Sequence, residues 1–247
     1  METVDDAHSA ASILVLRDGK HGLEVLMLRR HANTPSAPGA LVFPGGTTDA
    51  ADLVFESRVN VGILDDDLGR AWGFGAAGVA VAVALRELFE EAGLLCTTRP
   101  TTPEQRETWR ELAQATPANF YEILSSNERQ LDAAGLVYMA HWRTPEGRPR
   151  RYDTRFFAAR CPEGQEARCD GHETTEEFWT TPARALENFH RGEWSMLLPT
   201  RTLLAQLATF SSIEDAFDFW RRTPVTMVQP VDVVVDGERV ALLPDNG

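Results

Sequence analysis

Lysine and positive charge are scarce in this sequence. Lys20 is the one lysine among 24 basic residues, and the formal net charge of the 247-residue chain is −13. This charge argues against nucleic acid as the main partner, because a phosphate backbone binds a basic surface. A small anionic substrate stays compatible with this charge, since bound Mg²⁺ and a few local arginines reverse the field at one site. The guanidinium groups that supply nearly all of the positive charge suit bidentate phosphate recognition.

Long apolar runs and paired cysteines are missing as well. The longest apolar stretch, at about 78–85, is too short to span a bilayer. The acidic N-terminus lacks the basic-then-apolar order of a signal peptide, so we expect a cytoplasmic protein without a membrane partner. Cys96, Cys161 and Cys169 show no C-x-x-C spacing, which favours reduced, unpaired thiols. For the same reason a zinc site that combines the last two with His172 is the less favoured interpretation.

The most informative feature is an acidic cluster. Glu87, Glu90 and Glu91 are spaced i, i+3 and i+4, so on a helix they share one face and project into solvent or a cleft. The opposite face is apolar and consists of Leu85, Leu88, Phe89 and Ala92. Like charges at this spacing cost a few tenths of a kcal/mol, roughly, which indicates a neutralising cation, and hard oxygen ligands suit Mg²⁺ or Mn²⁺. The alternative is a solvated acidic face. We expect the helix to end at Gly93, a C′ glycine.

A second element lies upstream and completes a family pattern. The run Phe43-Pro44-Gly45-Gly46 is followed by Asp49 and Asp52. Together with the acidic cluster it resembles the Nudix hydrolase signature, which reads Gly, five residues, Glu, seven residues, then Arg-Glu-x-x-Glu-Glu-x-Gly. Gly46 matches the first glycine, and the second half is matched by Arg86, Glu87, Glu90, Glu91 and Gly93. Asp52 stands where the family usually has Glu, and 33 residues rather than seven separate it from Arg86.

The resemblance implies the α/β fold of the family, a Nudix α/β/α sandwich with a central mixed sheet in one domain over 1–247. The signature then carries an insertion at about 53–75. A second, helical insertion at about 103–133 is interpreted as a lid or a dimer surface, so a homodimer is kept among the partners. Alternation of apolar residues predicts a hairpin from 12–16 and 23–28 and paired strands at 136–142 and 154–158. Helices and a terminal hairpin are expected over 198–243.

The resemblance also assigns the site. It implies that metal is held by the glutamates of the helix, Glu87, Glu90 and Glu91, and by the carbonyl of Gly45, with Glu90 and Glu91 counted as catalytic. Arg86 holds a glutamate in position. A further acid of the segment 173–179 is expected to bind metal or activate water, and we favour Glu173 over Glu176. The alternative is an acidic edge strand, since acids there deter edge pairing.

Four arginines are candidate phosphate contacts by their location. These substrate-binding candidates are Arg29, Arg30, Arg151 and Arg155. Each is alternatively an ordinary surface charge, as most arginines are. Tyr152 and Phe156 are candidates for stacking on a base, with a place in the core as the alternative.

The chain resembles the coenzyme A diphosphatase-like branch of the family in the amino-acid sequences of the two motifs, in the long insertion and in the segment 151–157. That branch includes a peroxisomal mammalian enzyme and bacterial relatives. The function implied is divalent-metal-dependent hydrolysis of a diphosphate linkage in a nucleoside diphosphate derivative, with coenzyme A or acyl-CoA favoured. ADP-ribose, a nucleotide sugar or a dinucleoside polyphosphate is the alternative substrate, and a nucleotide sensor without catalysis is the alternative from another class.

Overall fold

The computed structural model describes residues 7–55, 59–60, 74–235 and 238–243. The strands in this part of the chain are β1 His8–Gly19, β2 Gly22–Arg30, β3 Leu41–Val42, β4 Gly45–Thr47, β5 Val59–Asn60, β6 Leu131–Asp132, β7 Val137–Arg143, β8 Tyr152–Arg160, β9 Thr174–Thr180, β10 Met227–Val228, β11 Val231–Val235 and β12 Glu238–Leu242. The helices are α1 Ala50–Phe55, α2 Phe74–Ala92, α3 Pro103–Ala113, α4 Pro117–Ser126, α5 Pro182–His190, α6 Leu198–Leu207 and α7 Ile213–Arg222.

The central sheet is mixed. Its strands run in the order β10, β7, β8, β1, β2, β3, while β4 pairs with β1 and β9 with β2. β1 is antiparallel to β2 and parallel to β8, and β7 is antiparallel to β8. The predicted first hairpin is confirmed, and its turn closes at Gly22, whose φ of +104° favours glycine.

Two apolar cores cover the two faces of this sheet. Successive side chains of a strand point to opposite faces, so Ile13 of β1 packs in the first core and Leu14 in the second. The first core contains α2, α3 and α4, and the second contains α5, α6 and α7. The expected α/β/α sandwich is confirmed.

Local signals explain where the helices begin and end. α5 begins at Pro182, after the Thr181 side chain, which accepts a hydrogen bond from the backbone N–H of Arg184. α2 ends at Ala92, and Gly93 follows with a φ of +70°. Its N–H donates to the carbonyl of Phe89 at 2.9 Å, which confirms the predicted C′ glycine.

The two insertions differ in how they meet the core. Much of the insertion predicted at about 53–75 lies outside the described residues, and its described part comprises the end of α1, the strand β5, which pairs with β6, and the start of α2. The helical insertion forms α3 and α4, which bury Trp109 and Phe120 against α2 in the first core. Within the described ranges, no helix is long and apolar enough to cross a membrane.

Candidate active site

The acidic helix α2 buries its apolar side as predicted, but the acids are less open to solvent than the helix geometry suggested. The side chains of Glu87 and Glu90 are only 13% and 15% exposed. Glu91 is 3% exposed, and its Oε2 accepts a hydrogen bond of 3.0 Å from the backbone N–H of Gly45. The neighbouring loop and β4 cover this face of the helix. The acids therefore lie at the wall of a cleft, and Glu91 lies behind that wall.

Burial makes the negative charge of these acids costly. Desolvation is the largest cause in all three, and it raises the pKa of Glu90 to about 7 even though Arg86 opposes the shift. The pKa of Glu87 is also raised, with Glu173 among the charges that raise it. The pKa of Glu91 is raised well above its ordinary value by burial and then by the charge of Glu87. The positive charge of Arg86 therefore compensates the negative charge of these acids only in part.

Arg86 lies at the centre of this cluster and is 2% exposed. Its Nε and Nη2 donate to the two carboxylate oxygens of Asp52 at 2.8 and 3.1 Å. Its Nη1 lies 2.9 Å from Glu90 Oε2 and 2.9 Å from Glu87 Oε1. Asp52 is fully buried. Although its side chain is shorter than the usual Glu and the insertion separates it from Arg86 in sequence, its carboxylate contacts Arg86. The position of Arg86 is the one expected of a residue that orients the glutamates.

The paired glycines allow β4 to approach both β1 and the acids. A Cβ at Gly45 would lie 2.5 Å from the carbonyl oxygen of Ala11, and one at Gly46 would lie 2.2 Å from Glu87 Oε1. The backbone of Ala11 cannot move aside, so glycine is required at Gly45, whereas a side chain at Gly46 would displace the carboxylate of Glu87. The N–H of Gly45 contacts Glu91, while the proposed role of its carbonyl as a metal ligand stays a prediction.

A cavity of about 820 Å³ is lined by residues of both the acidic helix and the sheet. Arg86, Glu87 and Glu90 lie in its wall, together with Trp142 of β7 and with Tyr152 and Phe156 of β8. Both stacking candidates, Tyr152 and Phe156, line the cavity, but Phe156 is also buried in the second core, as the alternative expected. The remaining charged residues in its wall are Arg30, Asp49, Arg143, Arg148, Arg150 and Glu173.

The two candidate acids lie in different places, Glu173 immediately before β9 and Glu176 within it. Glu173 lines the cavity, and its charge raises the pKa of both Glu87 and Glu91. Glu176 is paired with Arg29, whose Nε lies 3.1 Å from Glu176 Oε2. The guanidinium of Arg29 also lies over Phe178, which packs against the second core, so this pair lies on the face of the sheet away from α2. The structure brings Glu173 to the acids and does not bring Glu176 there.

Of the four candidate arginines, one lines the cavity and three do not. Arg30 lines the cavity, and its charge acts on Glu91. Arg29, Arg151 and Arg155 are not among the described residues that form the wall. Arg151 Nη2 lies 3.5 Å from the Thr144 carbonyl, and Arg155 Nη1 lies 3.8 Å from Asp153 Oδ1.

Sequence reasoning missed three arginines at the end of β7 and in the turn between β7 and β8. Arg143, Arg148 and Arg150 line the cavity. Their clustering between the two predicted strands, 136–142 and 154–158, was the available signal. Arg148 also donates to both carboxylate oxygens of Asp232 at 2.7 and 2.6 Å, which ties the turn to β11.

The acidic side chains have the chemistry that suits a divalent cation, but they are not placed as its ligands. Among the described residues, no group of three His, Cys, Asp or Glu side chains is arranged to hold a metal ion, and this includes the cysteine and His172 alternative. Glu87 and Glu90 are turned to Arg86 instead. However, Oε1 of Glu90 is buried without a hydrogen-bond partner, which is an acceptor that a cation would satisfy. Crowded carboxylates with raised pKa values fit the same ligand.

Comparison with known proteins places this site in a family. The family model described as the NUDT19 Nudix domain matches residues 76–203, which is more than half of the chain. The acyl-coenzyme A diphosphatase NUDT19 of Gallus gallus is 29% identical over 242 residues, covering 79% of this chain and 64% of the relative. The human protein of that name is 28% identical over 240 residues, covering 80% and 64%. The chain thus spans less than two thirds of the length of these relatives.

A solved structure agrees with this match. The NUDIX hydrolase from Alicyclobacillus acidocaldarius superposes with a TM-score of 0.72 at 28% identity, and the superposition covers 87% of this chain and 97% of that one. The region matched by the family model contains Arg86 and the three glutamates of α2, while Gly45 and Asp52 precede it. With its sandwich fold, its signature and this match, the chain belongs to the Nudix family represented by the NUDT19 Nudix domain.

Proposed function

We propose that this protein hydrolyses a diphosphate linkage in a nucleoside diphosphate derivative, with coenzyme A or acyl-CoA as the favoured substrate and Mg²⁺ or Mn²⁺ as the cofactor. The observation that carries the proposal is the presence of Glu87 and Glu90 in the wall of a cavity that several arginines also line. The names of the relatives, acyl-coenzyme A diphosphatases, support the choice of substrate.

The proposed chemistry divides between charge neutralisation and alignment of water. A bound divalent cation supplies Lewis acidity and lowers the pKa of water. Glu87, Glu90 and Glu91 would hold it, and Arg86 keeps the first two at a fixed distance from each other. Glu173, at the cavity wall, is our candidate to take a proton from the attacking water.

The shape of the cavity supports a nucleotide-sized substrate. Its volume lies in the range of roughly 300–1,000 Å³ that small-molecule sites occupy. The indole of Trp142 and the ring of Tyr152 offer apolar area for a base. Arg30 and Arg150 offer guanidinium groups for phosphate oxygens.

A product-release panel tests this proposal. Purified full-length chain is incubated with Mg²⁺ or Mn²⁺ and with coenzyme A, acyl-CoA, ADP-ribose, a nucleotide sugar and diadenosine polyphosphate. We expect cleavage of the diphosphate of coenzyme A or acyl-CoA to be the fastest and to vanish with EDTA. Faster cleavage of another arm would change the substrate, and tight nucleotide binding with no cleavage of any compound would favour the sensor.

A pair of variants decides between the candidate acids. Glu173→Gln is expected to lower kcat by about 10²-fold or more, as loss of a general base does. Glu176→Gln is expected to leave kcat unchanged, because this carboxylate is paired with Arg29 on the other face of the sheet. The reverse pattern would contradict the assignment of Glu173.

The partners under this proposal are small molecules rather than nucleic acid or a membrane. A homodimer and a cytoplasmic location stay predictions from the sequence. Light scattering coupled to size-exclusion chromatography tests the first, and cell fractionation tests the second.

A further inference from the structure

Tyr121 lies at the base of the network that holds the acids. It is fully buried on α4, and its hydroxyl donates to Asp52 Oδ1. The same carboxylate accepts from Nε and Nη2 of Arg86 and from the backbone N–H of Asp49 at 2.7 Å. The contacts form a chain that runs from Tyr121 through Asp52 and Arg86 to the glutamates of the acidic helix.

The identity of Asp52 makes the extra donor significant. The carboxylate of Asp52 is one methylene closer to its backbone than the usual Glu of the family pattern, yet it reaches Arg86 with both oxygens. A short buried carboxylate has less freedom to find this geometry by itself. The hydroxyl of Tyr121 contributes a hydrogen bond that fixes the orientation of the carboxylate.

Packing fixes where this hydroxyl lies. The ring of Phe120 lies 5.1 Å from the ring of Tyr121 and 5.8 Å from that of Phe89 on α2. Arg110 Nε of α3 and Nε2 of Gln114, the residue that follows α3, donate to the backbone carbonyl of Glu90 at 3.1 and 2.9 Å. The two insertion helices are therefore attached directly to the last turns of the acidic helix.

We propose that Tyr121 is a positioning residue for the metal-binding acids, acting through Asp52 and Arg86 on Glu87 and Glu90. This inference rests on the proposed function, since it concerns the affinity of the same site. It assigns the helical insertion a role in assembling the site. The competing interpretation is that Tyr121 only fills the core.

The protonation state of the phenol agrees with a permanent donor. Burial and then the charge of Asp52 raise the pKa of Tyr121 far above its ordinary value. The hydroxyl stays protonated across the pH range in which the protein would work, and so it donates to the carboxylate throughout.

Binding of Mn²⁺ to Tyr121→Phe tests the proposal without relying on turnover. We expect the Kd for Mn²⁺, measured by electron paramagnetic resonance, to rise about 10- to 100-fold, as it does when a residue behind a metal ligand is lost. In the loaded protein, kcat should fall while KM for the substrate stays unchanged. The matched control is Tyr138→Phe, because Tyr138 is also buried in the first core but packs against Phe157. Its Mn²⁺ affinity should equal that of the parent.

A double-mutant cycle with Asp52→Asn tests the route of the effect. If Tyr121 acts through Asp52, adding Tyr121→Phe to the Asp52→Asn variant should weaken Mn²⁺ binding no further. Additive losses would overturn the proposal, as would unchanged Mn²⁺ affinity in folded Tyr121→Phe. Failure of Tyr121→Phe to fold, beside a folded Asp52→Asn, would show a structural role and overturn it as well. Failure of the parent to bind Mn²⁺ would count against the proposed function instead.

Discussion

Two bidentate Arg–Asp pairs in this molecule have nearly the same geometry and different surroundings. Arg86 and Asp52 meet at 2.8 and 3.1 Å with 2% and 0% of their side chains exposed. Arg148 and Asp232 meet at 2.7 and 2.6 Å with 31% and 16% exposed. Water competes for the second pair and is excluded from the first. Burial, rather than the hydrogen-bond distances, therefore sets how much the loss of one partner of an ion pair is expected to cost in stability.

The surroundings also separate the two pairs by function. The buried pair carries further contacts from Arg86 to the glutamates, so its geometry sets the positions of the acids. The half-exposed pair joins a turn in the cavity wall to β11. The first is part of the candidate active site, and the second holds the edge of the cavity.

The largest expected effect is on the acids that the buried pair organises. Glu91→Gln should lower kcat by on the order of 10³-fold or more, because the metal site loses a charge. It should not lower the Tm, because the Gln side chain keeps an acceptor for the Gly45 N–H. The substitution also removes a carboxylate whose negative charge is disfavoured by burial, as its raised pKa indicates. Steady-state kinetics and thermal melts measure the two. Near-normal turnover would refute the role of Glu91, and a large loss of Tm would make it structural.

Breaking the buried pair is expected to have the next largest effect, on stability. Arg86→Ala leaves Asp52, Glu87 and Glu90 without their shared cation in a buried region, which should cost about 3–5 kcal/mol in the free energy of unfolding. Urea denaturation measures it. A cost within error of zero would mean that water reaches this pair in solution.

Breaking the half-exposed pair should have a small effect. Arg148→Ala is expected to cost about 1 kcal/mol or less, because solvent screens the interaction. The same urea series measures it, and hydrogen exchange should show faster opening of β11 without a change in α2. A cost equal to that of Arg86→Ala would show that the two pairs contribute equally to stability despite their different burial.

A third aspartate extends the comparison to pH. Burial alone would raise the pKa of Asp153, but hydrogen bonds with His141 and Arg143 lower it below 3.8. The stability that this group contributes is therefore present above its ordinary pKa and is lost as the pH falls through the lower, folded value. Asp153→Asn should melt below the parent at pH 7, and the gap should narrow below pH 3.8. A gap that stays constant with pH would contradict the assignment.

Local patterns predicted the secondary structure near the site well. The spacing of Glu87 and Glu90 against an apolar side indicated the helix, and Gly93 marked its end, because both depend on backbone geometry within a few residues. Burial of Glu91 was not predicted, since it depends on how β4 lies across the helix.

Contacts between segments that are distant in the chain could not be predicted from the sequence. Asp52 and Arg86 are 34 positions apart, and Tyr121 and Asp52 are 69 apart. These pairs meet only because α1, α2 and α4 pack in one core, which the pattern of either segment alone does not specify. The placement of Glu176 beside Arg29 depends in a similar way on the register of β9 against β2.

The central claim is that the glutamates of the acidic helix bind a divalent cation. A crystal structure of the full chain soaked in Mn²⁺, with anomalous diffraction data, tests it most directly. The account predicts an anomalous peak among the carboxylates of Glu87, Glu90 and Glu91, with Oε1 of Glu90 among the ligands. A map without a peak there, with Glu87 and Glu90 still bonded to Arg86 and Glu91 to Gly45, would contradict it.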